Sequence, residues 1–187
     1  MGYETLLYEA KNQIAWITLN RPQAMNALNT TMIRELGDVM QHVESDGTIR
    51  AVIIRGAGDK AFSAGADLKE IEVLGTKGAF DYSRAAHGAF ERIERLGKPV
   101  IGCINGMAIG GGAELALACH IRIASEKARL SFPEAGLGGI PGMEGRNGCP
   151  GSWARVSAFF ISSPERESAP RLVCKRACII RLLRMRS

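Results

Sequence analysis

Three consecutive glycines, Gly110 to Gly112, stand directly before an apolar helical pattern, and they constrain the fold more than any other part of the sequence. Because glycine has no Cβ, backbone N–H groups at such a corner can approach a ligand closely, and the first helical turn adds partial positive charge. A corner of this kind can hold a developing oxyanion, and Glu114 follows near enough for proton chemistry on the bound group. The same residues also fit a plain strand-to-helix turn in which Glu114 only favours the helix dipole.

Strand patterns and helix patterns alternate before and after this corner. In order, the sequence predicts a hairpin over residues 6–19, helices over 30–45 and 78–96, and buried strands over 51–54, 100–104 and 121–124. Asn29 is the expected cap of the first helix, and Gly97 is the expected C-cap of the second. Such alternation is typical of an α/β fold with a parallel sheet.

Residues 59–70 are predicted to form a loop after the strand at 51–54. The small side chains from Ser63 to Ala66 allow close backbone approach by a ligand, and Asp67 is a candidate cap for a helix that begins near Leu68. A tight turn without any function also explains small residues in a loop.

Composition excludes several classes of protein. The 187 residues suit one domain, and 46% of them are hydrophobic. No apolar run is long enough to span a membrane and the N-terminus lacks a signal-peptide pattern, so we expect a cytoplasmic protein without membrane partners. The three histidines are scattered and the five cysteines lack CxxC spacing, so neither a metal site nor a disulfide framework is expected.

Three stretches together resemble the crotonase superfamily and, within it, the enoyl-CoA hydratases. They are Lys60–Leu68, Asn105–Glu114, and Phe132–Glu134 with Ile140–Gly142. The resemblance runs from about Tyr3 to Met143. It implies a spiral of ββα repeats with a site between two roughly perpendicular sheets.

The resemblance also implies the residues of that site. Two backbone N–H groups that hold the thioester carbonyl map onto Ala66 and Gly111, and the two glutamates of the hydratases match Glu114 and Glu134. The implied reaction is reversible addition of water to a 2-enoyl-CoA, with Glu114 on the water and Glu134 as the main proton donor to C2, although the two glutamates can also exchange these roles. Another reaction of the superfamily, such as enoyl-CoA isomerisation, is the alternative, although isomerases generally keep only the second glutamate.

Five further positions match those that contact CoA in the family: Lys60, Ala64, Asp67, Leu68 and Lys69. For the two lysines, a solvated surface charge is the competing interpretation. The resemblance implies an acyl-CoA substrate and no separate cofactor, because the CoA thioester is itself the substrate. It also implies a homotrimer or hexamer, whose contacts in the family involve a C-terminal helical region.

One departure from the family lies inside the matching region. The chain has Cys119-His120-Ile121-Arg122 where the family usually has Cys-Asp-Ile-Arg. An imidazole cannot replace a carboxylate as an anion, so any ion pair made by the usual acid is lost here. We do not expect His120 to be catalytic.

The larger departure begins after Met143. Residues 144–187 contain nine of the 24 lysines and arginines but only three of the 19 acidic residues, and they lack the family's Gly-Gly-Thr-Gln-Arg-Leu continuation. Codons that can encode Arg146–Trp153, read from one base earlier, give Thr-Gln-Arg-Leu-Pro-Arg-Leu-Val. We therefore hypothesise that one nucleotide was lost near codon 144, which would leave a truncated crotonase-like core at 1–143 and an aberrant basic tail at 144–187.

Two alternatives concern this tail. A genuine basic appendage would bind nucleic acid or anionic lipid, but its arginines are dispersed, and we expect no nucleic-acid partner. A chain without the C-terminal helices would also expose apolar surface, so a catalytically inactive product is possible in place of an active hydratase.

Overall fold

The computed structural model describes residues 2–133 and, for the backbone alone, residues 158–160. The strands are β1 (Leu6–Lys11), β2 (Ile14–Leu19), β3 (Ala51–Gly56), β4 (Ala61–Ser63), β5 (Val100–Ile104), β6 (Met107–Ile109), β7 (Ile121–Ala124), β8 (Arg129–Ser131) and β9 (Ala158–Phe160). The helices are α1 (Thr30–Ser45), α2 (Leu68–Arg95) and α3 (Gly111–Ala118), with a 3-10 turn at Pro22–Ala24.

The strands form two sheets that the chain visits alternately. The larger sheet has the order β1-β2-β3-β5-β7-β9, and the smaller has the order β4-β6-β8. Within the larger sheet β1 and β2 form an antiparallel hairpin, and every later neighbour pairs in parallel. The units β3-β4-α2 and β5-β6-α3 each place one strand in either sheet before a helix, which confirms the ββα repeat and the crotonase-like α/β fold.

The apolar core lies between the inner face of the larger sheet and the helices. On β2, β3 and β5 the alternate residues that face inward are buried, as the period-two pattern of a half-covered sheet requires. The helix α1 buries the apolar stripe that its spacing predicted, and Asn29 caps it by accepting from Met32 N at 3.0 Å. Phe62 of β4 and Phe90 of α2 are fully buried and join the two sheets to this core.

Two sequence predictions were wrong in detail. The region 59–70, expected to be a loop, contains β4. The sequence did not predict this strand because three residues are too few to show a period. The helix expected to begin near Leu68 and the helix expected over 78–96 are both present, and they form one element, α2, with a break at Gly75, where φ is 64° and ψ is −179°. Its C-cap is Leu96 with φ −59°, so the expected glycine cap at Gly97 does not form.

His120 replaces the usual acid without leaving a gap in the hydrogen bonding. Its Nδ1 accepts from Val100 N at 3.0 Å, so the ring proton lies on Nε2, which is 2.9 Å from the Glu94 carbonyl oxygen. A neutral imidazole therefore joins the end of α2 to the start of β5. No charge is needed for these two contacts.

Of residues 144–187, predicted to be a basic tail, the structure describes three. Residues 158–160 form β9, which pairs in parallel with β7 at the edge of the larger sheet. Among the helices that the structure describes, none is long and apolar enough to cross a membrane.

Candidate active site

The glycine triplet forms the start of α3, as its sequence predicted. Gly110 precedes the helix with φ 51° and ψ −121°, a conformation open to glycine, and its N–H donates to the Ser131 carbonyl of β8 at 2.8 Å. Gly112 packs so closely on β4 that a Cβ would collide with the Ser63 carbonyl oxygen. Gly111 is the first helical residue, and no carbonyl among the described residues accepts from its N–H.

The loop between β4 and α2 is held by the segment 25–28. Its hydrogen bonds are Ala64 N to Met25 O at 2.9 Å, Gly65 N to Ser63 Oγ at 3.2 Å, Leu28 N to Gly65 O at 2.7 Å, and Asp67 N to Leu28 O at 3.0 Å. In this loop, and within the described part of the chain, the N–H of Ala66 has no such acceptor. The carbonyl and the N–H of a trans peptide point in opposite directions, so the Leu28 bond to Gly65 O turns the Ala66 N–H away from Leu28.

Gly65 brings this loop against the start of α3. Its φ is 87°, and a Cβ built on it would collide with the Ile109 carbonyl oxygen and lie 3.2 Å from Gly111 N. The residue that precedes Ala66 is therefore in backbone contact with Gly111. The two N–H groups predicted to hold an oxyanion lie on adjacent segments, and neither donates to a carbonyl of the described residues.

Glu114 lies in the first turn of α3 and is buried, with 2% of its surface exposed. Its backbone N–H donates to Gly110 O at 2.9 Å, which closes the first helical turn. Its carboxylate is near enough to Tyr82 of α2 to affect that hydroxyl. Burial is the main cause of the raised pKa of Tyr82, and the charges of Glu70, Asp67 and Glu114 add to it.

Arg122 fixes the other end of α3. Its Nη1 lies 3.1 Å from both the Ala116 and Leu117 carbonyl oxygens and also contacts Cys119 O, so a buried cation caps the C-terminus of the helix.

The remaining predicted site residues are more dispersed. The side chains of Lys60, Leu68 and Lys69 are exposed, and Leu68 retains 67% of its accessible surface. Ala64 is half-buried in the loop already described. Asp67 occupies the N-cap position of α2 but makes no capping bond, because its carboxylate pairs with Arg21 at 2.9 Å. Glu134 lies outside the described residues.

Two asparagines that the sequence analysis did not select hold the connection between β3 and β4. Asn26 donates to the carbonyls of Ala57 and Ala61, each at 2.9 Å. Asn105 accepts from Gly56 N at 3.2 Å and donates to Gly56 O and Gly58 O. Their hydrogen bonds join segments more than 30 residues apart, so no local sequence pattern predicts them. The available signal was an asparagine next to a turn.

Comparison with known proteins agrees with this arrangement. Residues 9–151 match the family described as Enoyl-CoA hydratase/isomerase. The chain belongs to the enoyl-CoA hydratase/isomerase family. The family match extends past Met143, where the resemblance based on the three motifs ends.

Individual relatives in this family support the same assignment. The chain is 43% identical over 145 residues to a short-chain-enoyl-CoA hydratase of Clostridium acetobutylicum, covering 78% of this chain and 56% of the relative. It is 41% identical over 150 residues to a crotonyl-CoA hydratase of Syntrophomonas wolfei, covering 80% of this chain and 58% of the relative. The crystal structure of an enoyl-CoA hydratase from Bacillus anthracis superposes on this chain with a TM-score of 0.73 at 38% identity. The superposition covers 75% of this chain and 55% of the hydratase. This chain therefore spans little more than half the length of these relatives.

Proposed function

We propose that this chain carries the core of an enoyl-CoA hydratase, which adds water reversibly and with syn geometry to a 2-enoyl-CoA to give a 3-hydroxyacyl-CoA. The observation that supports the proposal best is the corner itself. The backbone N–H groups of Ala66 and Gly111, which donate to no carbonyl of the described residues, lie on contacting segments, and the buried Glu114 is in the helical turn that follows.

The two N–H groups would bind the thioester oxygen. As the oxygen of water forms its bond to C3, the π electrons of the double bond move toward the carbonyl and negative charge develops on the thioester oxygen. Donors that already point at this position stabilise the charge without reorganising, and each contributes on the order of 3 kcal/mol. The rigid hydrogen bonds of the loop and the cap on α3 keep the donors in place.

Two carboxylates would move the protons. Glu114 orients the water and accepts its proton, and the collapsing enolate takes a proton at C2, for which Glu134 is our proposed donor. In balance, a C3–O bond and a C2–H bond form, the π bond breaks, and the two halves of one water molecule are added. The step consumes no oxidant and no cofactor, since the CoA thioester is the substrate.

The CoA portion would lie along the loop and the start of α2. Lys60 and Lys69 are exposed cations on either side of the loop and suit the phosphates of CoA, whereas Ala64 and Leu68 offer small or apolar contact. Asp67 pairs with Arg21, so it would hold the loop in place and would not contact the substrate directly.

The test is hydration of crotonyl-CoA, followed by the loss of the enoyl absorbance, with Glu114→Gln as the diagnostic variant. We expect kcat to fall by at least about 100-fold, since general acid–base groups contribute roughly that much or more. The matched control is Glu9→Gln, which makes the same change at an exposed glutamate on β1 and should leave kcat unaltered. Equal rates for the two variants would contradict the proposal.

Two other outcomes distinguish the alternatives. A chain that fails to hydrate crotonyl-CoA but shifts the double bond of a 3-enoyl-CoA would be an isomerase. A chain that aggregates on size-exclusion chromatography and binds no acyl-CoA would be the inactive product considered above, whereas a homotrimer or hexamer that turns over would contradict that alternative.

A further inference from the structure

Tyr82 is a buried polar residue that the mechanism above does not use. It lies in α2 with 4% of its surface exposed, and its hydroxyl donates to the Leu28 carbonyl oxygen at 2.7 Å. Leu28 itself is fully buried and lies in the segment before α1, 54 residues away along the chain. A tyrosine at this depth needs a hydrogen-bond acceptor, and the acceptor it has is part of the scaffold of the site.

Leu28 holds the peptide groups on both sides of Ala66. Its N–H donates to Gly65 O at 2.7 Å, and its carbonyl accepts from Asp67 N at 3.0 Å, so that Leu28 and Ala66 form a parallel bridge. The first bond holds the peptide group that carries the Ala66 N–H, and the second holds the peptide group that follows Ala66, so together they fix the backbone on both sides of this residue. The Leu28 carbonyl therefore accepts from both Asp67 and Tyr82, and a displacement of Leu28 would turn the donor at Ala66.

The surroundings of Tyr82 keep its hydroxyl protonated. Burial raises the pKa of the phenol, and the nearby carboxylates of Glu70, Asp67 and Glu114 raise it further. The hydroxyl therefore stays protonated, and able to donate, to a higher pH than an exposed tyrosine. Its bond to the Leu28 carbonyl connects the hydroxyl to the backbone that holds the loop.

We propose that Tyr82 is a positioning residue for the oxyanion donor at Ala66, acting through its hydrogen bond to the Leu28 carbonyl. The proposal rests on the proposed hydratase function for its catalytic consequence, but the mechanical link from Tyr82 to the loop does not depend on that function. It assigns a role in turnover to a residue of α2 that acts through the backbone of Leu28.

The diagnostic variant is Tyr82→Phe, which removes one oxygen atom and keeps the packing of the ring. The matched control is Tyr8→Phe on β1, which also removes a buried tyrosine oxygen, for which the described residues offer no hydrogen-bond partner. Loss of a whole oxyanion donor costs 100-fold or more, so a misaligned donor should lower kcat for crotonyl-CoA by about 10-fold while KM changes little. Tyr8→Phe should leave both parameters as in the unmodified chain.

Backbone amide hydrogen exchange gives a second readout that does not need turnover. In Tyr82→Phe the amides of Leu28 and Asp67 should exchange about 10-fold faster, and the Ala66 amide resonance should shift, while Tyr8→Phe should show neither change. Wild-type protection of these amides in Tyr82→Phe, or an unchanged kcat in an active enzyme, would overturn the inference. If the unmodified chain does not hydrate crotonyl-CoA, the proposed function fails. The amide exchange rates of Leu28 and Asp67 then test by themselves whether Tyr82 holds the loop.

Discussion

Two buried glutamates show how residues of one type serve different purposes. Glu35 of α1 accepts from Glu4 N at 2.7 Å and Thr5 N at 2.9 Å, and it also accepts from Thr5 Oγ. Burial alone would raise its pKa, but these hydrogen bonds, with help from the charge of Arg34, lower the pKa below its ordinary value. Glu35 therefore fastens the N-terminal residues to the first helix as an anion. Glu114, also buried, lies instead in the first turn of α3, at the corner proposed to bind the substrate.

Glu35 makes stability depend on acidic pH. Because its pKa is lower in the folded than in the unfolded chain, its contribution is present in full above the unfolded pKa and is lost as the pH falls through the folded value. We expect Glu35→Gln to lower the free energy of unfolding by about 2 kcal/mol at pH 7, since hydrogen bonds to a charged acceptor contribute roughly that much.

Urea unfolding between pH 3 and pH 7 measures this effect. The difference between the unmodified chain and Glu35→Gln should shrink as the pH falls, and Glu9→Gln at an exposed position serves as the control for loss of one negative charge. Two curves that stay equally far apart at every pH would contradict the assignment to Glu35.

At the scale of elements, α2 is interrupted at one residue. Gly75 has φ 64° and ψ −179°, and a Cβ built there would meet no atom within 4 Å, so the backbone conformation and not crowding requires glycine. The part of α2 before this break carries Leu68 and the exposed Val73, and the part after it carries Tyr82 and the buried Phe90. The break separates the segment beside the proposed CoA site from the segment that packs in the core.

A pair of alanine substitutions tests whether the break is built into the fold. Gly75→Ala should lower the free energy of unfolding by about 1 kcal/mol, since a side chain is strained at positive φ. Gly88→Ala, in the helical second half of α2 with open space around it, should raise that free energy by roughly 0.5–1 kcal/mol. Thermal unfolding of both variants is the measurement, and a stabilising Gly75→Ala would show that the helix runs straight through in solution.

At the scale of the whole molecule, the candidate site depends on the joint between the two sheets, by which we mean the neighbouring β3–β4 and β5–β6 connections. The chain passes from the larger sheet to the smaller at β3–β4 and again at β5–β6, and Asn105 at the second crossing bonds to the backbone at the first. Gly106 beside it approaches Lys60 so closely that a Cβ would collide with the Lys60 carbonyl oxygen. Lys60 and the loop around Ala66 follow directly from this joint.

Asn105→Asp tests the joint with a side chain of nearly equal shape. The carboxylate can still accept from Gly56 N, but it cannot donate to the carbonyls of Gly56 and Gly58, so we expect a loss of about 2 kcal/mol in the free energy of unfolding. Binding of acyl-CoA, measured by calorimetry, should weaken as well, since the loop that follows is less well held. A destabilised variant with unaltered affinity would show that the joint does not position the loop.

Local patterns in the sequence were sufficient for the larger elements and for part of the site. The spacing of apolar residues predicted α1 and the strands β2, β3, β5 and β7, because each buries one face or both faces and shows a period or an apolar run. The glycine triplet with Glu114 predicted the start of α3, since few other arrangements require three glycines before an apolar helix. The resemblance to a family rested on these same motifs and led to the fold that the structure shows.

Contacts between distant segments could not be read from such patterns. The short strands β4, β6 and β8 exist because they pair with one another, and their three residues each carry too little periodicity to predict a strand. The same holds for the link from Tyr82 to Leu28 and for the two asparagines at the joint. Side-chain chemistry and local spacing were determined by the amino-acid order alone, whereas the direction of the Ala66 N–H was decided by Leu28 and Gly111, which reach that loop only when the chain folds.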